Sequence, residues 1–199
     1  MRSRRGIAAL ARNDSAAQII EFAVSLPLLV VFVVGIFDFS GAYTLKNKLT
    51  HAAAEAARVG AAGPSNDLSN AHPASVADAF QSAHNYLLAN KLNDCGITGP
   101  GTRSGLTLIW TFAPTGTCTT GLQKIIVDRG YSFAASGAAT PANCAAQDPG
   151  GQVGVIGTCV SVQYAYQWRF GKVISVLVGA NNYPGISTLT SAAVAANEN

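Results

Sequence analysis

Charge is scarce in this chain. Asp, Glu, Lys and Arg make up 12% of its 199 residues, about half of the ~25% typical of a soluble domain. The charge that exists forms no basic field. Arg2, Arg4, Arg5 and Arg12, against Asp14, precede the longest apolar run, while residues 38–199 carry nine Lys and Arg and eight Asp and Glu. A nucleic-acid-binding face needs clustered cations on a folded surface, so no nucleic-acid partner is expected.

The motifs of catalysis are missing too. No HExxH, GxSxG or phosphate-binding GxxxxGK[ST] sequence occurs. His51, His72 and His84 stand without an acid at a recognisable spacing and read as surface or helix-face histidines. "GPGTRSG" at 99–105 is Gly-rich but reads as a turn. No enzyme and no cofactor are expected. The four cysteines form no CxxC pair, which removes the usual zinc and redox spacings.

The chain does have one long apolar run, "IIEFAVSLPLLVVFVVGIF" at 19–37, with Glu21 as its one ionisable residue. As a helix it would span ~28 Å, close to the ~30 Å hydrocarbon core of a bilayer. It is long for the h-region of a secretory signal, roughly 7–15 residues, and no clean A-x-A site follows. A retained single-pass helix in the lipid bilayer is the expectation. The arginine-rich flank places the N-terminus in the cytoplasm and the rest outside it. Cys95, Cys118, Cys144 and Cys159 all lie in that exported part, where disulfides persist. Three connectivities are possible; pairing of sequence neighbours, Cys95–Cys118 and Cys144–Cys159, is the one favoured.

The helix is expected to continue through 38–62 to about 45 residues, because Pro is absent and apolar positions recur three or four apart until "GPSN" at 63–66. Ala53 and Ala57, and Ala56 and Gly60, are small residues four apart. They suit close helix packing, or they are there because Ala favours helix. Pro27 would loosen one turn of the span. A second helix is expected at 74–92, where Val76, Phe80, Ala83, Leu87 and Leu88 form one stripe.

Strand signals follow at 106–112, 122–127, 157–170 and 187–194, rich in β-branched and aromatic residues. Alternation puts Val160, Val162, Tyr164 and Tyr166 on one face and Ser161, Gln163, Ala165 and Gln167 on the other. Residues 134–154 read as an Ala/Gly/Pro-rich loop near Cys144. The segment 172–180 is ambiguous between strand and helix and too short to span a bilayer. The fold class is α+β: a long N-terminal helix, a second helix and a small antiparallel sheet packed on them. The organisation expected is a basic arm 1–16, the long helix 17–63 and an exported domain 64–199. Trp110, Tyr164, Tyr166 and Trp168 could serve a membrane-anchored, adhesin-like binding module, or pack as core aromatics.

Glu21 has three readings. It can snorkel to the near interface, pair with a cation in an assembly, or mark the chain for processing. Here residues 16–62 resemble the N-terminal region of TadE/TadG-like pseudopilins of Tad/Flp (tight adherence) pilus systems. The resemblance rests on Glu21-Phe22-Ala23 opening the apolar helix, Leu26-Pro27-Leu28-Leu29, Gly35-Ile36-Phe37-Asp38-Phe39, and the Ala-Ala-Arg-Val-Gly run at 56–60. Gly6 in the arm and "STLTSAAVAANEN" at the C-terminus add to it. The family implies a pilin-like minor subunit of a bacterial inner membrane that takes part in pilus assembly and surface adhesion. It implies a prepilin peptidase, the inner-membrane Tad platform and other pilins as partners, the last through the N-terminal helix. Its pattern sets the acid fifth in the mature chain, so the cut would fall between Ala16 and Ala17, with Glu21 and Phe22 just inside. The family's usual residue before the cut is Gly; this chain has Ala16.

Overall fold

The computed structural model describes residues 14–132, 144, 156–171 and 185–198. Helix α1 runs Asp14–Ala62 and α2 runs Ala74–Ala89, with a 3-10 turn at Asn66–Ser69 between them. Five strands follow: β1 Thr102–Arg103, β2 Ile109–Phe112, β3 Gly121–Ser132, β4 Ile156–Gln167 and β5 Ile186–Ala196. They pair antiparallel in chain order, β1-β2-β3-β4-β5. This is the expected α+β class. The chain divides into two compact units, Met1–Gly41 with Arg169–Pro184, and Ala42–Trp168 with Gly185–Asn199.

The larger unit owes its core to small and apolar residues at helical spacing. Leu45, Leu49, Ala52, Ala53, Ala56 and Ala57 of α1 are buried with Val76, Phe80, Ala83 and Leu87 of α2 and with Trp110, Ile125, Val127, Val160 and Val162 of the sheet. The α1 face is made of alanines because the sheet lies close beneath it. A methyl group on Gly60 would come within 2.8 Å of Thr158 Cγ2 and 3.2 Å of Ala79 Cβ. Polar tethers join the same elements. Thr50 Oγ1 lies 2.6 Å from Ser191 Oγ, and Lys46 Nζ donates to the Thr190 carbonyl.

The end of α1 and the start of α2 are set locally. Gly63 N–H closes on Gly60 O at 3.2 Å. Pro73 precedes α2 with φ −65° and ψ 139° and offers no capping side chain. Asp67 caps instead, accepting from Ser75 N at 2.8 Å and Ser75 Oγ at 3.0 Å, so orphan helix-start donors are satisfied from a neighbouring turn. Helix α2 stops at Ala89, short of the expected 92, because Lys91 takes φ 57°, a left-handed conformation that cannot continue a helix.

The strands differ from expectation at their ends. Residues 104–108 turn rather than extend: Gly105 has φ 58°, and Thr107 donates to Ser104 O through both N and Oγ1. Strand β2 therefore begins at Ile109, and the Gly-rich stretch read as a turn supplies β1. Strand β3 runs on to Ser132 through register shifts at Leu122/Lys124 and Asp128/Tyr131. Strand β4 ends at Gln167 rather than 170. Its alternation holds, but both faces are buried. Val160 and Val162 join the helix-covered core, while Cys159 packs with Tyr131 and Cys144 in a second cluster.

Candidate functional site: the apolar half of the first helix

From residue 19 to 39 the side chains of α1 are nearly all exposed. Ile19, Phe22, Val24, Phe32, Phe37 and Phe39 keep about two thirds or more of their surface open. Among the described residues one helix, Gln18–Ala62, is long and apolar enough to cross a membrane. Glu21 lies exposed on this surface, and among the described residues no side chain pairs with it. Pro27 sits inside the helix and removes the N–H that would bond the Ala23 carbonyl. One turn earlier, Ser25 Oγ donates to Phe22 O at 3.2 Å. The apolar stretch is thus interrupted by one carboxylate and one missing backbone bond, both in its N-terminal half.

Asp38 closes the stretch. It is buried, and its carboxylate accepts from Arg169 N at 3.0 Å and Phe170 N at 3.1 Å. In the sequence, Asp38 figures within the Gly35-Ile36-Phe37-Asp38-Phe39 stretch of the resemblance. A lone acid at the end of an apolar run, with backbone donors brought to it from 131 residues away, leaves no spacing signal to find.

The remaining expected site residues are distributed as follows. Ala53, Ala56, Ala57 and Gly60 are buried in the core of their own domain. Their close-packing face is therefore occupied within the chain. Cys95 pairs with Cys118 and Cys144 with Cys159, at Cα separations of 5.8 and 5.7 Å. Trp110 is buried and donates Nε1–H to Ala71 O at 3.1 Å. Tyr164 and Tyr166 pack on the main core, and Trp168 meets Tyr166 edge-on at 5.3 Å. The backbone of Ala16 and Ala17 is helical, but their side chains lie outside the described residues. So do the arginine arm 1–13, the loop 134–154 apart from Cys144, and the segment 172–180.

One histidine reading needs correction. His84 Nε2 lies 3.0 Å from Asp94 Oδ2, an acid that the turn after α2 folds back to it. The Gly96 backbone N–H, and then His84, hold the Asp94 carboxyl below its usual range. Two further buried charges went unread. Asp128 and Arg129 follow one another on β3, both almost fully buried. Burial pushes the Asp128 carboxyl up to about 6, with the Gly130 N–H opposing it. Burial lowers the Arg129 guanidinium pKa, and nearby Asp67 opposes the shift. Among the described residues no cluster of three or more His, Cys, Asp or Glu could hold a metal ion.

No curated protein and no solved structure matches the chain. The family model described as TadE-like protein matches residues 16–58, so the stretch that holds Glu21, Pro27, Asp38 and the alanine face is TadE-like.

Proposed function

We propose that this chain is a TadE-like pseudopilin or minor pilin that takes part in assembling a Tad/Flp pilus used for surface adhesion. It is held in the bacterial inner membrane by residues 19–37, with its N-terminus in the cytoplasm and the disulfide-braced domain outside. The observation that carries this reading is the coincidence of the TadE-like match at 16–58 with a helix face that the protein's own fold leaves uncovered. Lipid or other apolar helices must cover such a face.

In this reading Glu21 is the recognition acid of a prepilin peptidase cutting between Ala16 and Ala17. After the cut, it pairs with the N-terminal amine of an adjacent subunit. A carboxylate in an apolar layer needs such a cation. The expected results are an intact mass that begins at Ala17 and, with a photo-crosslinking residue at Phe32, adducts to another pilin-type subunit. A mass that retains Arg2–Ala16 contradicts the processing step. Adducts to lipid alone contradict the subunit contact.

A further inference from the structure

The exported domain contains a concave site unrelated to the membrane helix or to the disulfides. A cavity of about 410 Å³ opens between α2 and the loop after it. Its walls are Val76, Phe80, Ile97, Trp110 and Phe112, with His84 at the edge. Protein interiors are close-packed with few voids larger than a water molecule. A ring-walled hollow of this volume falls in the ~300–1,000 Å³ range of small-molecule sites.

The walls are held rather than loose. Phe80 stacks on Phe112 at 4.1 Å and on His84 at 5.3 Å, with interplanar angles of 7° and 13°. Gly101 lies against the Phe112 ring, where an added methyl would come within 2.8 Å. Trp110 is fixed through Ala71 O and His84 through Asp94.

The polar side of the site has one sign. A second hollow shares His72, Gly99, Gly101 and Phe112 with the first and adds Arg103. Neither lining contains a carboxylate. Asp94, which faces His84, is already engaged by it and by the Gly96 N–H. Arg103 is held in place: its Nε donates to Thr107 O at 2.8 Å, and its guanidinium lies 5.1 Å from the Trp110 ring centre. Among the described residues its terminal nitrogens have no hydrogen-bond partner. They can therefore form charge-assisted bonds to an anion.

We propose that this cleft binds a small aromatic anion, an aryl carboxylate in chemical class. Its ring would sit against Phe80, Trp110 and Phe112, and its charged group would face His72 and Arg103. The proposal does not depend on the pilus reading.

The test uses the full chain in lipid nanodiscs, photolabelled with benzophenone-4-carboxylate, with the adducts mapped by peptide mass spectrometry. Labelling is expected to saturate, to fall on peptides covering 72–84 and 97–112, and to be competed by 1-naphthoate. Ala77 and Thr98 line the mouth and are exposed, so Ala77→Phe and Thr98→Phe obstruct it without touching the core. Each is expected to cut labelling about tenfold while leaving the unfolding midpoint unchanged. Arg103→Gln is expected to weaken the carboxylate probe roughly tenfold and to spare neutral benzophenone. Labelling that is spread along α1, or that ignores both mouth variants, overturns the site. Equal labelling by the charged and neutral probes overturns the anion assignment.

Discussion

Replacing Arg129 with alanine is expected to lower the stability of the domain that follows the apolar helix segment by about 3–5 kcal/mol. Arg129 is 1% exposed on β3. Its Nη1 donates to Thr158 Oγ1 at 3.0 Å, and its Nη2 donates to Gly63 O at 2.9 Å and Pro64 O at 3.3 Å. Its own carbonyl accepts from Asn197 Nδ2 at 3.4 Å, and Asn197 Oδ1 accepts from Thr158 Oγ1 at 2.7 Å. One guanidinium therefore ties together the end of α1, strand β4 and the C-terminal residues. Alanine would leave the buried Thr158 hydroxyl and two part-buried carbonyls without that donor and open a cavity as well. Lysine keeps the charge but lacks the planar fork, so Arg129→Lys should lose nearly as much. Thr158→Val removes one bond and should cost about 1 kcal/mol. Denaturant unfolding followed by tryptophan fluorescence reads all three. A loss under about 1 kcal/mol for Arg129→Ala would show the guanidinium to be dispensable.

The second large effect concerns Asp128 and pH. The carboxyl is 3% exposed, and burial raises its pKa from 3.8 to about 6. Between about pH 4 and 6 the folded state therefore holds more protons than the unfolded one, and stability falls as pH rises through that window. Above pH 6 the buried charge costs about 3 kcal/mol relative to acid conditions. Asparagine keeps an oxygen for the Gly130 N–H, which Asp128 Oδ1 accepts at 2.9 Å, and carries no charge. Asp128→Asn is expected to stabilise the domain at pH 7.5 and to flatten the pH 4–6 slope. Asp94 works in the opposite sense. Its lowered pKa gives stability that is present above its unfolded pKa, near 4, and lost as pH falls further. The variant should therefore retain a decline at the acid end. A wild-type curve that is flat from pH 4 to 6 would contradict the burial cost.

Much of this architecture was legible because it is written in long, local patterns. The apolar run and the Pro-free stretch after it announce a helix through Ala62, and "GPSN" announces its end. The β-branched and aromatic stretches announce four of the five strands, all but the two-residue β1. What escaped depends on contacts between distant residues. "DRG" at 128–130 interrupts an apolar alternation, so it reads as the end of a strand at 127; the chain instead passes through a register shift and buries both charges. His84 and Asp94 meet because Lys91 turns the chain back after α2, and no spacing rule encodes that. Asp38 is defined by two amides far away in sequence. The alanine face of α1 was visible, but its occupant was not: small residues suit another subunit's helix as well as the chain's own sheet, and here the sheet takes them.

That division sharpens the role of the remaining face. The second half of α1 is committed within the fold, so in the proposed role contacts with other subunits would fall on residues 19–37 and on the domain surface. The most direct measurement is a count of pili per cell, by electron microscopy, in a strain lacking this gene and in the same strain carrying the gene in trans. Loss of pili and of surface adhesion, restored by the wild-type chain and not by Glu21→Ala, is the predicted result. Normal pilus number and adhesion in the deletion strain would contradict it.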